Sequence, residues 1–328
     1  MKMVFTEVMG YQEMLRTAFP HDELVMFDGP LSEEELVREA KNARVLSVFI
    51  RTRIDEEVID RLPKLAMINT RSVGFDHIAA GYAVGRGIAV THVPDYGPHV
   101  VAEHVFCLLL ACARDLIAAD RSVRKEKRFD FEPFMGLELK DKVLGVIGTG
   151  KIGAEVVRIA QGFGMTVVAF DIVRNEKLAR KYGFSYMSLD EVLDLSDFVT
   201  IHVPLTPDTE NLIDRDALAR MKRGSILINT SRGSIVDEHA LREALDMGHL
   251  AGAGLDVISD ESDPAGDPMV GAEGTIITPH IAFYTRESLS RMFDRSIETI
   301  RSFTAGKRIN EVPREYMGRA RVPAAPHD

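Results

Sequence analysis

A chain of 328 residues, 45% hydrophobic and 27% charged, is long enough for two unequal domains and has the composition of an ordinary globular protein. Its net charge of -10 would repel phosphate backbones, and no stripe of Lys and Arg interleaved with aromatics is present, which argues against nucleic acid as a partner. The longest uninterrupted apolar run, Val105 to Ala113, falls far short of a membrane span, and no signal-peptide run surrounds Glu7, so the expectation is a cytoplasmic protein with no membrane partner.

From residue 2 to about 92, short β-rich runs (Val45 to Ile50, Leu65 to Asn69, Ile88 to Thr91) alternate with helical segments such as Ser32 to Ala40, the pattern of a parallel α/β sheet. Ser32 followed by Glu35 reads as a capping box. The turn cluster Pro94 to Pro98 precedes a segment, His99 to about Arg121, that is apolar on nearly all faces through Ala113. Such a helix is expected to be buried in a domain or subunit interface, which points to a homodimer. Cys107 and Cys112 lie in it five residues apart, too far around a helix to pair easily, and read as buried free thiols.

Beyond Lys140 a second α/β pattern supplies six strand-like runs: Val143 to Ile147, Thr166 to Phe170, Phe198 to Val203, Ser225 to Asn229, Ala251 to Leu255 and Thr275 to Thr278. Ser188 with Glu191, Asp214 and Gly248 mark helix ends between them. A last helical segment, Arg286 to about Phe303, has no strand after it and is expected to return to the N-terminal domain. The tail from Arg314, with Pro323 and Pro326, reads as an irregular end.

The second pattern opens on Gly148-Thr149-Gly150-Lys151-Ile152-Gly153, placed between a strand and a helix. The first glycine permits a tight turn, the second lets a pyrophosphate approach the backbone, and the third permits close helix packing. The helix N-terminus then offers amide donors to the phosphates. Asp171 ends the next strand, 21 residues beyond Gly150, where a carboxylate accepts from the ribose hydroxyls of an adenosine and repels a 2'-phosphate. NAD (as NADH in reduction) is therefore expected over NADP, with nearby Arg174 adding some tolerance for NADP.

Seven ordered segments carry a resemblance over nearly the whole chain: Asn69 to Asp76, Val93 to Tyr96, the glycine loop, His202 to Thr206, Asn229 to Gly233, Leu255 to Val257, and Thr278 to His280. The chain resembles the D-isomer-specific 2-hydroxyacid dehydrogenase family, especially its D-lactate dehydrogenase-like members. The resemblance implies two Rossmann-like/flavodoxin-like parallel-sheet domains with the nucleotide domain inserted: residues 1-98 plus 287-328 as substrate domain, and 99-286 as NAD-binding Rossmann domain. It also implies an active site between them and closure that excludes water.

The resemblance further implies a catalytic Arg, Glu and His, offered here by Arg232, Glu261 and His280. A 2-keto acid presents a carboxylate beside a carbonyl, and a planar guanidinium can hold both through paired hydrogen bonds. Reduction places negative charge on the carbonyl oxygen, and an imidazole is suited to deliver a proton there or to accept one in the reverse direction. Glu261, bonded to the other ring nitrogen, would select the tautomer and favour the imidazolium. Asp260 is the fallback, since the proline often following this Glu in the family is Ser262 here; the 29-residue interval from Arg232 favours Glu261.

By the same resemblance Asp256 contacts the nicotinamide carboxamide, and Ile172, Val203, Pro204, Thr209, Thr230 and Ser231 also contact the cofactor. The backbone at Val73 and Gly74 holds the substrate carboxylate, and Tyr96, Phe283 and Tyr284 line or close a compact pocket. Arg51, after the strand Val45 to Ile50, either faces the pocket and favours a polar or second anionic group or is a solvated strand-end residue. His104 and His202 receive no chemistry, and no residue cluster has metal-ligand spacing.

The expected reaction is hydride transfer between NAD(H) and the second carbon of a small D-2-hydroxy or 2-keto acid of lactate/pyruvate, glyoxylate or hydroxypyruvate type. Formate oxidation is disfavoured by Glu261, and an extra regulatory domain of the kind some phosphoglycerate dehydrogenases carry has no room. The rival from another class is an NADH-sensing, corepressor-like binding protein on the same fold.

Overall fold

The computed structural model describes residues 1–313, so the tail read above as an irregular end lies outside the described residues. Two compact units divide the chain: residues 1–97 with those from Thr285 on, and Pro98–Tyr284.

In the first unit β1 (Lys2–Phe5), β2 (Glu23–Met26), β3 (Val45–Val48), β4 (Met67–Thr70) and β5 (Ala89–Thr91) form a parallel sheet in the order β2-β1-β3-β4-β5. Parallel pairing demands crossovers, supplied by α1 (Gln12–Ala18), α2 (Glu33–Ala40), α3 (Glu56–Asp60) and α4 (Ala80–Gly85). Every residue of β3 and β4 is buried, which is why these strands read as continuous runs without alternation. At the start of α2 the Glu35 carboxylate accepts from both the backbone N–H and the hydroxyl of Ser32, at 3.1 and 2.6 Å.

The second unit begins with α5 (Pro98–Ala113) and α6 (Leu116–Arg121). Seven parallel strands follow: β6 (Val143–Ile147), β7 (Thr166–Phe170), β8 (Ser185–Tyr186), β9 (Phe198–Ile201), β10 (Ile226–Asn229), β11 (Gly252–Leu255) and β12 (Thr275–Ile277). They are connected by α7 (Lys151–Gly162), α8 (Glu176–Tyr182), α9 (Leu189–Leu195), α10 (Arg215–Arg220) and α11 (Glu238–Asp246). The order β12-β11-β10-β9-β6-β7-β8 reverses direction between β6 and β9, which creates a switch point at the carboxyl ends of those two strands. Asp214 caps α10 through the Ala217 N–H, and Gly248, at φ +61, follows the end of α11.

Four expectations need correction. The apolar segment from His99 is two helices, because the chain returns at Leu137, whose N–H takes the Ala113 carbonyl at 2.7 Å, and Asp115 adopts φ +46. The burial of α5 is internal to its own unit: Val105, Phe106, Leu108 and Leu109 share a core with Val146, Val156 and Ile228. Of the two cysteines, both free, Cys107 is exposed, while burial pushes the Cys112 thiol up to about 12. The short β8 also adds a seventh strand to the six expected. No helix among the described residues is long and apolar enough to cross a membrane.

The last helix, α12 (Arg286–Thr304), belongs to the first unit, where Ser296 Oγ donates to Asn69 Oδ1 at 2.5 Å. Its fully buried Phe293 stacks on Tyr11 at 4.5 Å between centroids and lies under the Arg71 guanidinium at 5.1 Å. Phe293→Ala leaves a cavity and an uncovered buried cation, so the first unit is expected to lose about 3–5 kcal/mol. Urea unfolding followed by a probe in that unit, with Phe293→Leu as the milder comparison, checks this; an unchanged midpoint would show that α12 contributes nothing there.

Candidate active site

The carboxyl ends of the second unit's parallel strands carry nearly all the residues singled out in its sequence. The turn after β6 is built from glycines with distinct constraints. Gly148 has φ +92, and a Cβ there would come within 2.7 Å of the His202 carbonyl oxygen. A Cβ at Gly153 would lie 2.0 Å from the Gly148 carbonyl oxygen, so α7 rests directly on the turn that opens it. At Gly150, which caps α7 with ordinary φ -62, a Cβ would meet nothing within 4 Å. Of the three glycines of this turn, Gly150 alone faces open space, directly before the helix amides, where a pyrophosphate needs backbone access.

Asp171, just past β7, accepts from Thr149 N–H (2.6 Å) and Thr149 Oγ1 (2.9 Å) on one oxygen and from Val173 N–H (2.9 Å) on the other. A carboxylate has about four lone-pair sites, so capacity for a hydroxyl donor remains. Thr149 Oγ1 also meets the Tyr186 hydroxyl at 2.7 Å, and the Arg174 guanidinium stacks over the Tyr186 ring at 5.9 Å. Ile172 beside Asp171 is 90% exposed, an apolar face next to a carboxylate.

After β9, Val203 and Pro204 start a loop that Thr209 ties together: its hydroxyl donates to the Pro204 carbonyl at 2.6 Å and accepts from Thr206 N–H at 2.8 Å. His202 meets Thr200 Oγ1 at 2.9 Å, and burial pushes its imidazole down to about 3, so it is neutral.

After β10 the buried Asn229 side chain templates the turn that follows. Its carbonyl oxygen accepts from Ser231 N–H and Oγ, at 3.0 and 2.8 Å, and its amide donates to the Arg232 carbonyl at 2.8 Å. Arg232 Nη1 donates to the Ser231 carbonyl at 2.8 Å. Thr230 Oγ1 is buried without a hydrogen-bond partner, a polar atom suited to a ligand at this strand end. A Cβ at Gly233 would lie 2.1 Å from the Ile258 carbonyl carbon, which fixes the chain before Glu261 against the Arg232 turn.

His280 Nδ1 lies 2.8 and 3.0 Å from the two carboxylate oxygens of Glu261. A carboxylate only accepts, so the pairing places a proton on Nδ1 and leaves Nε2 for another partner. The fallback Asp260 instead binds the N–H and hydroxyl of Ser262 and the Asp263 N–H, donors that hold its carboxyl below the usual range.

His280 has φ +53, uncommon for a residue with a side chain. Asp256, 1% exposed, explains how it is held. One carboxylate oxygen accepts from Thr278 Oγ1 (2.5 Å) and Ile281 N–H (2.9 Å), the other from Ala282 N–H (2.8 Å). The Asp256 carbonyl accepts from His280 N–H at 2.8 Å. His104 Nε2 lies 3.0 Å from Thr278 Oγ1 and 3.4 Å from Asp256. Burial opposes the charge, but these donors prevail and keep the carboxyl below its ordinary value. The Asp256 carboxylate has no exposed surface and is turned inward onto the His280 turn. Asn229 and Thr278 lie in segments that carry the resemblance and His104 in the apolar stretch after Pro98, but their supporting bonds have no signal in spacing.

Phe283 packs edge-on against His280 and Tyr284 in the second unit, and the remaining candidates belong to the first. Arg71, fully buried, donates to Ser47 Oγ at 2.7 Å and to the carbonyls of Thr6 and Glu7, and so anchors the loop bearing Val73 and Gly74. Burial pulls its guanidinium down to about 10, still charged at neutral pH. Val73 is exposed and its carbonyl meets His92 Nδ1 at 2.8 Å; Ser72 Oγ donates to the Gly74 carbonyl at 2.6 Å. Tyr96 is buried, its carbonyl bonded by Arg291 at 2.8 Å. Arg51 is mostly exposed, with its Nε 3.3 Å from the buried carboxylate of Glu7.

Comparison with known proteins adds what geometry alone does not. Residues 106–282 match the family model "D-isomer specific 2-hydroxyacid dehydrogenase, NAD binding domain". The chain is 39% identical over 283 residues to a glyoxylate reductase of Korarchaeum cryptofilum, covering 85% of each sequence. Among solved structures it is similar to the D-lactate dehydrogenase of Aquifex aeolicus complexed with NAD and lactic acid, with TM-score 0.85, 36% identity, and coverage of 93% of this chain and 96% of that one. It is also similar to an acyclic imino acid reductase complexed with NADPH and D-Arg, with TM-score 0.87, 30% identity, and coverage of 95% and 100%.

The glycine geometry makes a paired prediction. Gly150→Ala should leave the melting temperature unchanged yet weaken NADH binding by at least about tenfold, a loss of ~1.4 kcal/mol. Gly153→Ala should lower both, because α7 must move off the turn. Thermal unfolding and fluorescence titration with NADH distinguish the two, and equal behaviour of the variants would refute the separate roles.

Proposed function

The chain belongs to the D-isomer specific 2-hydroxyacid dehydrogenase family, and from that premise we propose that it reduces a small 2-keto acid with NADH, with His280 as acid and base. The observation that carries this reading is the His280–Glu261 pair, which leaves Nε2 of a ring held at positive φ to face a reacting oxygen.

The residues present suit a nicotinamide dinucleotide: an open Gly150 before the α7 amides, an unpartnered Thr230 hydroxyl, and an acid after β7. Gly148 to Gly153 would hold the pyrophosphate, Asp171 a ribose hydroxyl, and exposed Ile172 the adenine, with Val203, Pro204, Thr230 and Ser231 along the remaining length. The cofactor supplies the hydride. Arg232 orients the keto acid through its carboxylate and carbonyl, which fixes the face presented. His280 delivers a proton from Nε2 to the carbonyl oxygen as charge develops there, and Glu261 holds the ring. In the reverse direction neutral Nε2 takes the hydroxyl proton.

A carboxylate at Asp171 favours NAD over NADP by repulsion of a 2'-phosphate, although a related reductase binds NADPH. The substrate is proposed to be of glyoxylate, pyruvate or hydroxypyruvate size. Arg51, exposed but tied to Glu7, would favour a second anionic group. We also propose a homodimer, since α6 and the segment after it expose Leu116, Ile117, Phe129, Phe131 and Met135, an apolar patch that is costly to leave in water.

NADH oxidation is expected with glyoxylate, pyruvate or hydroxypyruvate, and His280→Ala should lower kcat by about 10²–10⁴. Oxaloacetate in the same panel tests Arg51, and Asp171→Ser should shift preference toward NADPH by about tenfold, equivalent to ~1.4 kcal/mol. If NADH binds but no keto acid is turned over, the sensing reading replaces this one. For the dimer, sedimentation of a Phe129→Ser, Phe131→Ser double variant should show the mass halved; an unchanged mass would place the contact elsewhere.

A further inference from the structure

One side chain touches both ends of the segment that carries Glu261. Glu238, the first residue of α11, is buried, and its Oε1 accepts the backbone N–H of Ser259 at 2.8 Å. Its carboxyl also meets that of Asp267, equally buried, within hydrogen-bonding reach. Asp267 in turn accepts the Met269 N–H at 2.8 Å, in a residue that belongs to the core. Ser259 and Asp267 bound the residues among which Glu261 sits, and the contact of Gly233 with Ile258 blocks retreat on the other side.

We propose that Glu238 is a positioning residue that shares a proton with Asp267 and, by clamping Ser259 and Asp267 together, sets Glu261 beside His280. The inference rests on the reading of Glu261 and His280 as the proton-handling pair. Two carboxyl groups in hydrogen-bond contact cannot both ionise cheaply, so one stays protonated and donates to the other. The groups facing this pair do not neutralise a second charge. Asp237 and His239 come from α11, Glu210 from the loop before α10, and Asp260 and Asp263 from the segment itself. Arg242, one turn along α11, spends its guanidinium on Asp246 and the Pro268 carbonyl.

Burial first, with Asp267 reinforcing it, pushes the Glu238 carboxyl up to about 7. The sign follows. Below that pH the shared proton closes the clamp; as pH rises through it, both carboxyls ionise, repel, and loosen the segment. Because the folded value is raised above the unfolded one, the proton's stabilising effect is greatest at low pH and is lost through neutrality.

The test compares wild type, Glu238→Gln, Glu238→Ala and Asp267→Asn from about pH 5.5 to about 8.5. The readouts are amide exchange of residues 259–267 by mass spectrometry, melting temperature, and kcat and KM for NADH-dependent keto acid reduction. Gln supplies a permanent donor to Asp267 and an acceptor to Ser259. In wild type, exchange corrected for its intrinsic pH dependence should rise about tenfold through neutrality, as ~1.4 kcal/mol of clamp is lost. Glu238→Gln should stay slow and lose this pH response, and Asp267→Asn should behave in the same way. Glu238→Ala should exchange fast at every pH, with kcat reduced and KM for NADH unchanged, and Gln should rescue kcat. Equal pH response in wild type and Glu238→Gln overturns the proposal, even if Glu238→Ala does not fold. Exchange does not depend on turnover, so the expected exchange pattern in a protein that reduces no keto acid would leave the clamp standing and sink the dehydrogenase reading instead.

Discussion

His280 occupies a left-handed backbone conformation that costs a residue with a Cβ about 1–2 kcal/mol, and the buried carboxylate of Asp256 is what holds it there. That carboxylate binds the hydroxyl before His280 and the two amides after it, so the turn is fastened on both sides. Burying an ion is itself unfavourable, and only a full set of donors makes it tolerable. His104 completes the set through Thr278, which ties the turn after β12 to α5. The ring direction of His280 is thus determined by groups behind it, and Glu261 meets a nitrogen that is already aimed.

The same reliance on backbone placement recurs at two glycines. Gly153 seats α7 on the turn after β6, and Gly233 seats the approach to Glu261 on the turn that carries Arg232. In each case a Cβ would collide with main chain, which cannot rotate away as a flexible side chain can. The glycine loop and the turns that carry Arg232, Glu261 and His280 therefore share one construction: the carboxyl ends of parallel strands, brought together by close main-chain contact and stabilised by buried side chains behind them.

What was legible in the sequence follows from the range of the interactions. Three of the five strands of the first sheet and six of the seven of the second, the capping of α2 and α9, and the glycine loop depend on residues within one turn or one strand, and periodicity and spacing report these. The break after Ala113 was not legible, because the partner of that carbonyl is Leu137, which no local pattern reveals. An all-apolar helix predicts burial but not what covers it; α5 is covered by its own sheet. Asp256 was visible as a strand-end acid, yet its task depends on donors from Thr278 to Ala282 and from His104. Glu238 gave no signal at all, since an acid in the first turn of a helix is ordinary on dipole grounds.

The segment from Ser259 to Asp267 shows how one functional group acquires different roles from its surroundings. Asp260 is solvated and receives three donors, which keep it ionised and make it a turn-former. Glu261 faces an imidazole and accepts from it. Asp267 is buried against another carboxyl, that of Glu238, which burial and the like charge push up to about 7. Exchanging Asp260 and Glu261 in sequence would not exchange their roles, because the shorter side chain serves the local turn and the longer one reaches His280. Geometry assigns the chemistry here, with residue type setting only the reach.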